Sequence, residues 1–96
     1  MILLNILKKK GYRVEKYATK KPDIVFKKGN KTFAIEVETG SVLKVRDRMK
    51  EKLEVLKDYD KWFFVVTDRN KVKEYKKYGK SVDVRYLKLY LTQFLR

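Results

Sequence analysis

The stretch PDIVFKKGNKTFAIEVE, residues 22–38, decides the reading of this chain. It contains two β-prone runs, 22–28 and 31–39, on either side of Gly29-Asn30, a two-residue connection of the kind that admits positive φ and closes an antiparallel hairpin. If Gly29 and Asn30 are the loop, Lys28 pairs with Lys31 and Asp23 falls directly across from Glu36. Side chains alternate between faces along a strand. Pro22, Ile24 and Phe26 therefore share an apolar face with Phe33, Ile35 and Val37, and this is the predicted core surface. The other face carries Lys21, Asp23 and Val25 beside Ala34, Glu36 and Glu38.

Directly opposed residues on paired strands have Cβ atoms roughly 4.5 to 5.5 Å apart, where like charges repel. Asp23 and Glu36 are both framed by apolar residues, in what reads as an interior sheet, and unpaired carboxylates are costly there. A hard divalent cation would reconcile them. Mg²⁺, or Mn²⁺ in its place, takes oxygen ligands, typically one or two carboxylates with water and substrate phosphate completing the shell. Asp23, Glu36 and Glu38 are accordingly the candidate metal ligands. The plainer alternative makes Glu36 and Glu38 ordinary outward-facing strand residues, with Lys21, opposite Glu38 in this register, pairing with it.

Outward from the hairpin, Ile2, Leu3, Ile6 and Leu7 recur at helical spacing, and Gly11 after the lysine run supplies a stop, so a first helix is predicted. Tyr12 to Ala18 reads as a first strand. After the hairpin, Ser41 is placed to cap a helix with an apolar stripe of Val42, Val45, Met49, Leu53 and Leu56, while Lys44, Arg46, Arg48, Lys50, Lys52 and Lys57 fall mostly outside it. Trp62 to Val66 is an unbroken apolar run, the pattern of a central strand buried on both faces. Residues 70–78 suggest a short helix ended by Gly79. Ser81 to Leu87 alternates as a further strand, and Lys88 to Arg96 as a closing helix. The predicted order is α-β-β-β-α-β-α-β-α in one α/β domain spanning residues 1–96, without repeats or low-complexity tracts.

Composition narrows the chemistry. The chain has 26 Lys and Arg against 12 Asp and Glu, a formal net charge of +14, which draws polyanions and above all nucleic acid. A lysine-rich surface suited to high temperature is the alternative, but such surfaces usually balance Lys with Glu. Cys and His are both absent. Disulfides, thiolate or imidazole metal sites and cysteine or Ser-His-Asp nucleophiles are thereby excluded, so catalysis would fall to carboxylates, lysines and a hard cation. The apolar run Met1 to Leu7 is too short to span a bilayer and leads into lysines, which points to a cytoplasmic protein without membrane partners.

Pro22-Asp23, twelve intervening residues and Glu36-Val37-Glu38, set in an α-β-β-β-α-β order, resemble the PD-(D/E)XK nuclease superfamily, which includes restriction endonucleases and archaeal Holliday-junction resolvases. The resemblance runs from Met1 to about Asp68. It implies a restriction endonuclease-like αβββαβ core, Mg²⁺ on Asp23 and Glu36, and a part for position 38 in activating the attacking water. This chain departs from the pattern at Glu38, where the family usually has lysine, although some restriction enzymes of the family also carry glutamate there. Lys21 across the hairpin and Lys44 beyond it are the candidates for a substitute cation. The first helix offers Asn5 where the resolvases have a glutamate.

The expected function is Mg²⁺-dependent endonucleolytic cleavage of DNA, with Asp23 and Glu36 on the metal, Glu38 assisting, and Lys21 or Lys44 steadying the phosphate. Lys20, Lys21, Lys44, Arg46 and Arg48 are the expected nucleic-acid contacts, and DNA is favoured over RNA. A non-catalytic DNA- or RNA-binding module on a degenerate nuclease fold is the alternative. A basic protein-interaction domain is a third reading, and it predicts no salt-sensitive DNA binding. Tyr75 and Tyr78, interleaved with the lysines of residues 71–80, could stack on unpaired bases or cover core. Leu91, Phe94 and Leu95 form either core or the seam of a homodimer.

Overall fold

In the computed structural model of the protein, the described residues are Lys9, the backbone of 14–16, and 22–95. The expected first helix, Gly11, Lys20 and Lys21 lie outside them. Five strands, β1 (Val14–Lys16), β2 (Ile24–Lys28), β3 (Lys31–Glu38), β4 (Lys61–Val66) and β5 (Ser81–Asp83), form one mixed sheet in sequential order. β2 runs antiparallel to both its neighbours, β1 and β3, and β3, β4 and β5 run parallel. Each parallel step needs a crossover. These are made by α1 (Arg48–Leu56) and by the short α2 (Val72–Tyr75), and α3 (Leu87–Phe94) follows β5. The architecture is α/β.

The hairpin forms in the expected register. Lys28 faces Lys31 and Ile24 faces Ile35. Gly29 takes φ of 61° and Asn30 stays at negative φ, a glycine-first turn whose twist suits the flanking strands. On one face of the sheet Ile24, Phe26, Phe33, Ile35, Phe63, Val65 and Val82 are buried against Leu87, Leu91 and Leu95 of the α3 segment. Phe26 and Phe33 stack across the hairpin with centroids 4.9 Å apart, and Phe94 meets Phe33 and Phe63 edge-on. Leu91, at 0% exposure, is core, so the stripe considered as a dimer seam is used up within the fold. The opposite face packs Ala34, Phe64 and Val66 against Val42, Met49, Leu56 and Tyr75.

Two expected elements are shorter or broken. The helix predicted from Ser41 is a 3-10 turn, Ser41–Lys44, followed by a break and then α1. Asp47 sits at φ 64°, a left-handed conformation that stops a right-handed helix from running through it, and Ser41 caps nothing. Val45, predicted in the stripe, is 52% exposed as a result. The last strand ends at Asp83, because the Asp83 side chain accepts a hydrogen bond from the Arg85 amide and starts a 3-10 turn over Val84–Tyr86. Val84 and Tyr86 therefore point outward. Gly79 does more than stop a helix: a Cβ there would lie 2.3 Å from the Trp62 ring, so only glycine lets the chain pass over the indole. Of the predicted first strand, Tyr12 to Ala18, the described part is Val14–Lys16, and the rest lies outside the described residues.

Candidate active site

The turn at Gly29 sets the register, and the register brings Asp23 and Glu36 together. Asp23 lies just before β2, where the ladder is closed by side chains instead of backbone. The Asp23 amide donates to Glu36 Oε1 at 2.7 Å, and the Val37 amide donates to Asp23 Oδ2 at 2.8 Å. In both, a backbone amide donates to a carboxyl oxygen. Two residues on, Glu38 points to the same side as Glu36, and both are buried, at 3% and 5% exposure.

The cation that reconciles them is Lys52, on α1. Its Nζ donates to Glu36 Oε2 at 2.7 Å and to Glu38 Oε1 at 2.8 Å, bridging the two carboxylates. Burial pushes the carboxyls of Glu36 and Glu38 above the ordinary range, and the hydrogen bonds and charge of Lys52 work against that rise. For Lys52 burial favours the neutral amine, but the bonds and charges of the two glutamates together hold its pKa above the usual lysine value. Asp23 Oδ1 and Glu38 Oε2 accept no bond from any described residue. No buried side-chain nitrogen or oxygen among the described residues lacks a partner.

The surroundings hold this group still. The Thr67 amide and hydroxyl both donate to the Glu38 carbonyl, at 2.9 and 3.3 Å, fastening the end of β3 to the end of β4. Gly40, at φ 101°, turns the chain away, and its amide donates to Tyr75 Oη at 3.2 Å. Tyr75 is wholly buried, so it supports the site from below the surface and does not stack on bases. Burial first, and the Glu38 charge after it, push its phenol up to about 12. Asp68, following the strand, caps the next turn through the Asn70 amide.

Of the cations predicted for the site, Lys44 is exposed on the 3-10 turn and makes no ion pair among the described residues. Arg46 and Arg48 are exposed, with Arg46 4.0 Å from Asp47. Lys52, expected with the cations that fall mostly outside the apolar stripe, instead faces the sheet. Its position was nonetheless legible: 52 is three residues after Met49 and four before Leu56, both buried, so it shares their helix face. Treating residues 41–56 as one continuous helix hid this, since the break at Asp47 separates Val42 and Val45 from the α1 stripe.

Among the described residues no three acidic side chains close into a ready-made metal cage. Mg²⁺ does not require one, because one or two carboxylates suffice when substrate phosphate completes the shell. The donor set here is oxygen alone and suits that hard ion. No family model matches the chain, and neither the curated proteins nor the solved structures yield a match.

Proposed function

We propose that this protein is a divalent-metal-dependent DNA endonuclease on a restriction endonuclease-like core, with Asp23, Glu36, Glu38 and Lys52 as its working group. The observation that carries this reading is the Lys52 ammonium shared between Glu36 and Glu38 beside Asp23. It puts a positive charge next to position 38, where the resembled motif would place one, although the residue at 38 is an acid. Three carboxylates and one lysine leave the group net negative within a chain of net charge +14. Basic surface draws in the phosphate backbone, and the acids form a local exception suited to a cation.

Asp23 and Glu38 each have an oxygen free to offer a metal, and Glu36 would join by giving up the Asp23 amide or the Lys52 ammonium. When bound there, Mg²⁺ or Mn²⁺ would offset phosphate charge and lower the pKa of a coordinated water. Lys52 then steadies the negative charge that develops on the scissile phosphate, the part first considered for Lys21 or Lys44. Glu38, held by Lys52, fixes the direction of that ammonium. The fastening of β3 to β4 through Thr67 keeps the acids from spreading apart as charge changes.

A non-cleaving nucleic-acid-binding module is the second reading. It is favoured by the fact that both oxygens of Glu36 already have protein donors, as in an ion pair that only neutralises buried charge. Supercoiled plasmid, single-stranded DNA and four-way-junction DNA incubated with Mg²⁺, Mn²⁺ or EDTA separate the two. The nuclease reading expects metal-dependent cutting of at least one substrate, lost in EDTA and reduced about a hundredfold by Asp23→Asn. DNA binding with no cut under any metal leaves the binding module standing instead, and an Asp23→Asn protein that cuts as the wild type does removes Asp23 from the metal site and overturns the nuclease reading as stated.

A further inference from the structure

A second surface lies at the edge of β5, which pairs with no further strand among the described residues. Between α2 and α3 a groove of about 980 Å³ opens along that edge. Arg69, Lys76, Lys80 and Arg85 line it against one acid, Asp83, a balance of +3. Asp83 is tied to Arg85, with Nη2 to Oδ2 at 2.9 Å, while Arg69, Lys76 and Lys80 make no ion pair among the described residues.

The groove also has a partly apolar wall. Tyr86, Leu89, Tyr90 and the polar Gln93 follow one another at the spacing of a single helix face, beside the Leu87, Leu91 and Leu95 face that packs on the sheet, with Tyr90 partly buried against that core. Tyr86 is 59% exposed and Leu89 66%. Exposed apolar side chains grouped along one wall mark a contact surface more often than scattered ones do. The Arg85 guanidinium lies 5.5 Å from the Tyr86 ring centroid, and Lys80 Nζ stands 5.3 Å over the ring of Tyr90. Cations alternate with ring faces along the groove, the combination that binds an unpaired strand by its backbone and its bases together.

Its position relative to the acids gives it a use. The register aligns Glu38 with Val66 and Val66 with Asp83, so the Asp83 end of the groove lies at the same end of the parallel strands as the acidic group. Two strand spacings, roughly 10 Å, separate them. Ligands of parallel sheets characteristically sit at this end.

We infer that the β5-edge groove is a binding site for an unpaired nucleic-acid strand, with Tyr86 stacking on a base and Arg69, Lys76 and Lys80 on the phosphates. As the route by which a frayed or single-stranded segment reaches Asp23 and Glu38, it rests on the nuclease reading. As a binding site it stands without that reading. A peptide strand adding to the β5 edge is the competing occupant, and the excess of cations argues for the polyanion.

The test is fluorescence anisotropy of a labelled oligothymidylate with the full chain in EDTA, where cutting plays no part. Tyr86→Ala is expected to weaken binding about tenfold, from the loss of one stacked base. Tyr86→Phe, which keeps the ring face, is expected to bind as the wild type does. Arg69→Ala and Lys80→Ala are each expected to lower the slope of log affinity against log salt by about 0.7. Unchanged affinity in Tyr86→Ala overturns the proposal, and so does displacement of the oligonucleotide by polyglutamate as readily as by unlabelled oligothymidylate. Thermal melts of the variants should match the wild type, since all three side chains are exposed. Failure of the nuclease reading would appear separately, as unchanged cutting in Asp23→Asn with this binding intact.

Discussion

The two faces of the sheet are built from the same strands and held by different physics. Under α3 the contact is apolar throughout, from Ile24 across Phe33 and Phe63 to Val82, sealed by Leu91 at 0% exposure. Under α1 the apolar surface of Ala34, Phe64 and Val66 is interrupted by Glu36 and Glu38, which are as buried as the hydrophobic residues around them. Burial on the first face is driven by the area removed from water and asks little of direction. On the second, two carboxylates are tolerable only because one ammonium reaches both within hydrogen-bond distance. Apolar residues in place of a buried ion pair are often as stable or more so, so stability alone does not account for this arrangement.

Substitutions on the two faces should therefore differ in kind. Leu91→Ala is expected to cost about 4 kcal/mol, since it removes a fully buried side chain and leaves a cavity. In urea unfolding that loss should be the same at pH 5 and pH 8. Lys52→Met is expected to cost about 2 to 3 kcal/mol near pH 7, discounted from the loss at a fully buried pair because its side chain is 24% exposed.

The Lys52→Met loss should depend on pH. Glu36 and Glu38 have folded pKa values raised above 4.5 by burial, so their contribution favours the fold at low pH and is lost as pH rises through the raised values. Without Lys52 they lose their counter-charge and rise further. The deficit of Lys52→Met should accordingly shrink as pH falls toward 4.5. Lys52 itself is raised above 10.5, so its contribution is complete below that pH and is lost above it. Wild-type protein should show an alkaline loss of stability that Lys52→Met lacks. A deficit that stays constant across the whole range would place Lys52 with Leu91, as packing alone.

Tyr75→Phe is the smallest of these effects. It leaves the Gly40 amide without its acceptor, at a cost of about 1 kcal/mol. Thermal melting should detect it, and DNA cutting should fall with it only if the turn after Glu38 shifts.

The contrast also explains what was legible in the sequence. Period-two alternation in residues 22–38, with Gly29 to turn the chain, was enough to place Asp23 across from Glu36 and to name the apolar face correctly. The unbroken run after Lys61 gave the central strand. What could not be read was long-range or geometric: the spacing from Met49 and Leu56 puts Lys52 on the buried helix face, but its reach to Glu38 across 14 residues and the left-handed backbone at Asp47 are set by the tertiary fold. Val84 and Tyr86 alternate like a strand, yet the bond from the Arg85 amide to Asp83 diverts them into a turn and out to solvent. Gly79 read as a helix stop, and only the Trp62 ring above it reveals the close approach that demands it.

The central claim is that α1 returns, through Lys52, the positive charge that Glu38 withholds from the strand. The most direct measurement is the Mg²⁺-dependent plasmid-nicking rate of the charge exchange Glu38→Lys with Lys52→Glu, beside the single variant Lys52→Glu. The exchange should cut within about tenfold of wild type, while Lys52→Glu alone, which gathers like charges, should fall at least a hundredfold or more, on the order of 3 kcal/mol of lost transition-state stabilisation. Wild-type cutting by Lys52→Glu, or no cutting by any of the three proteins, would contradict it.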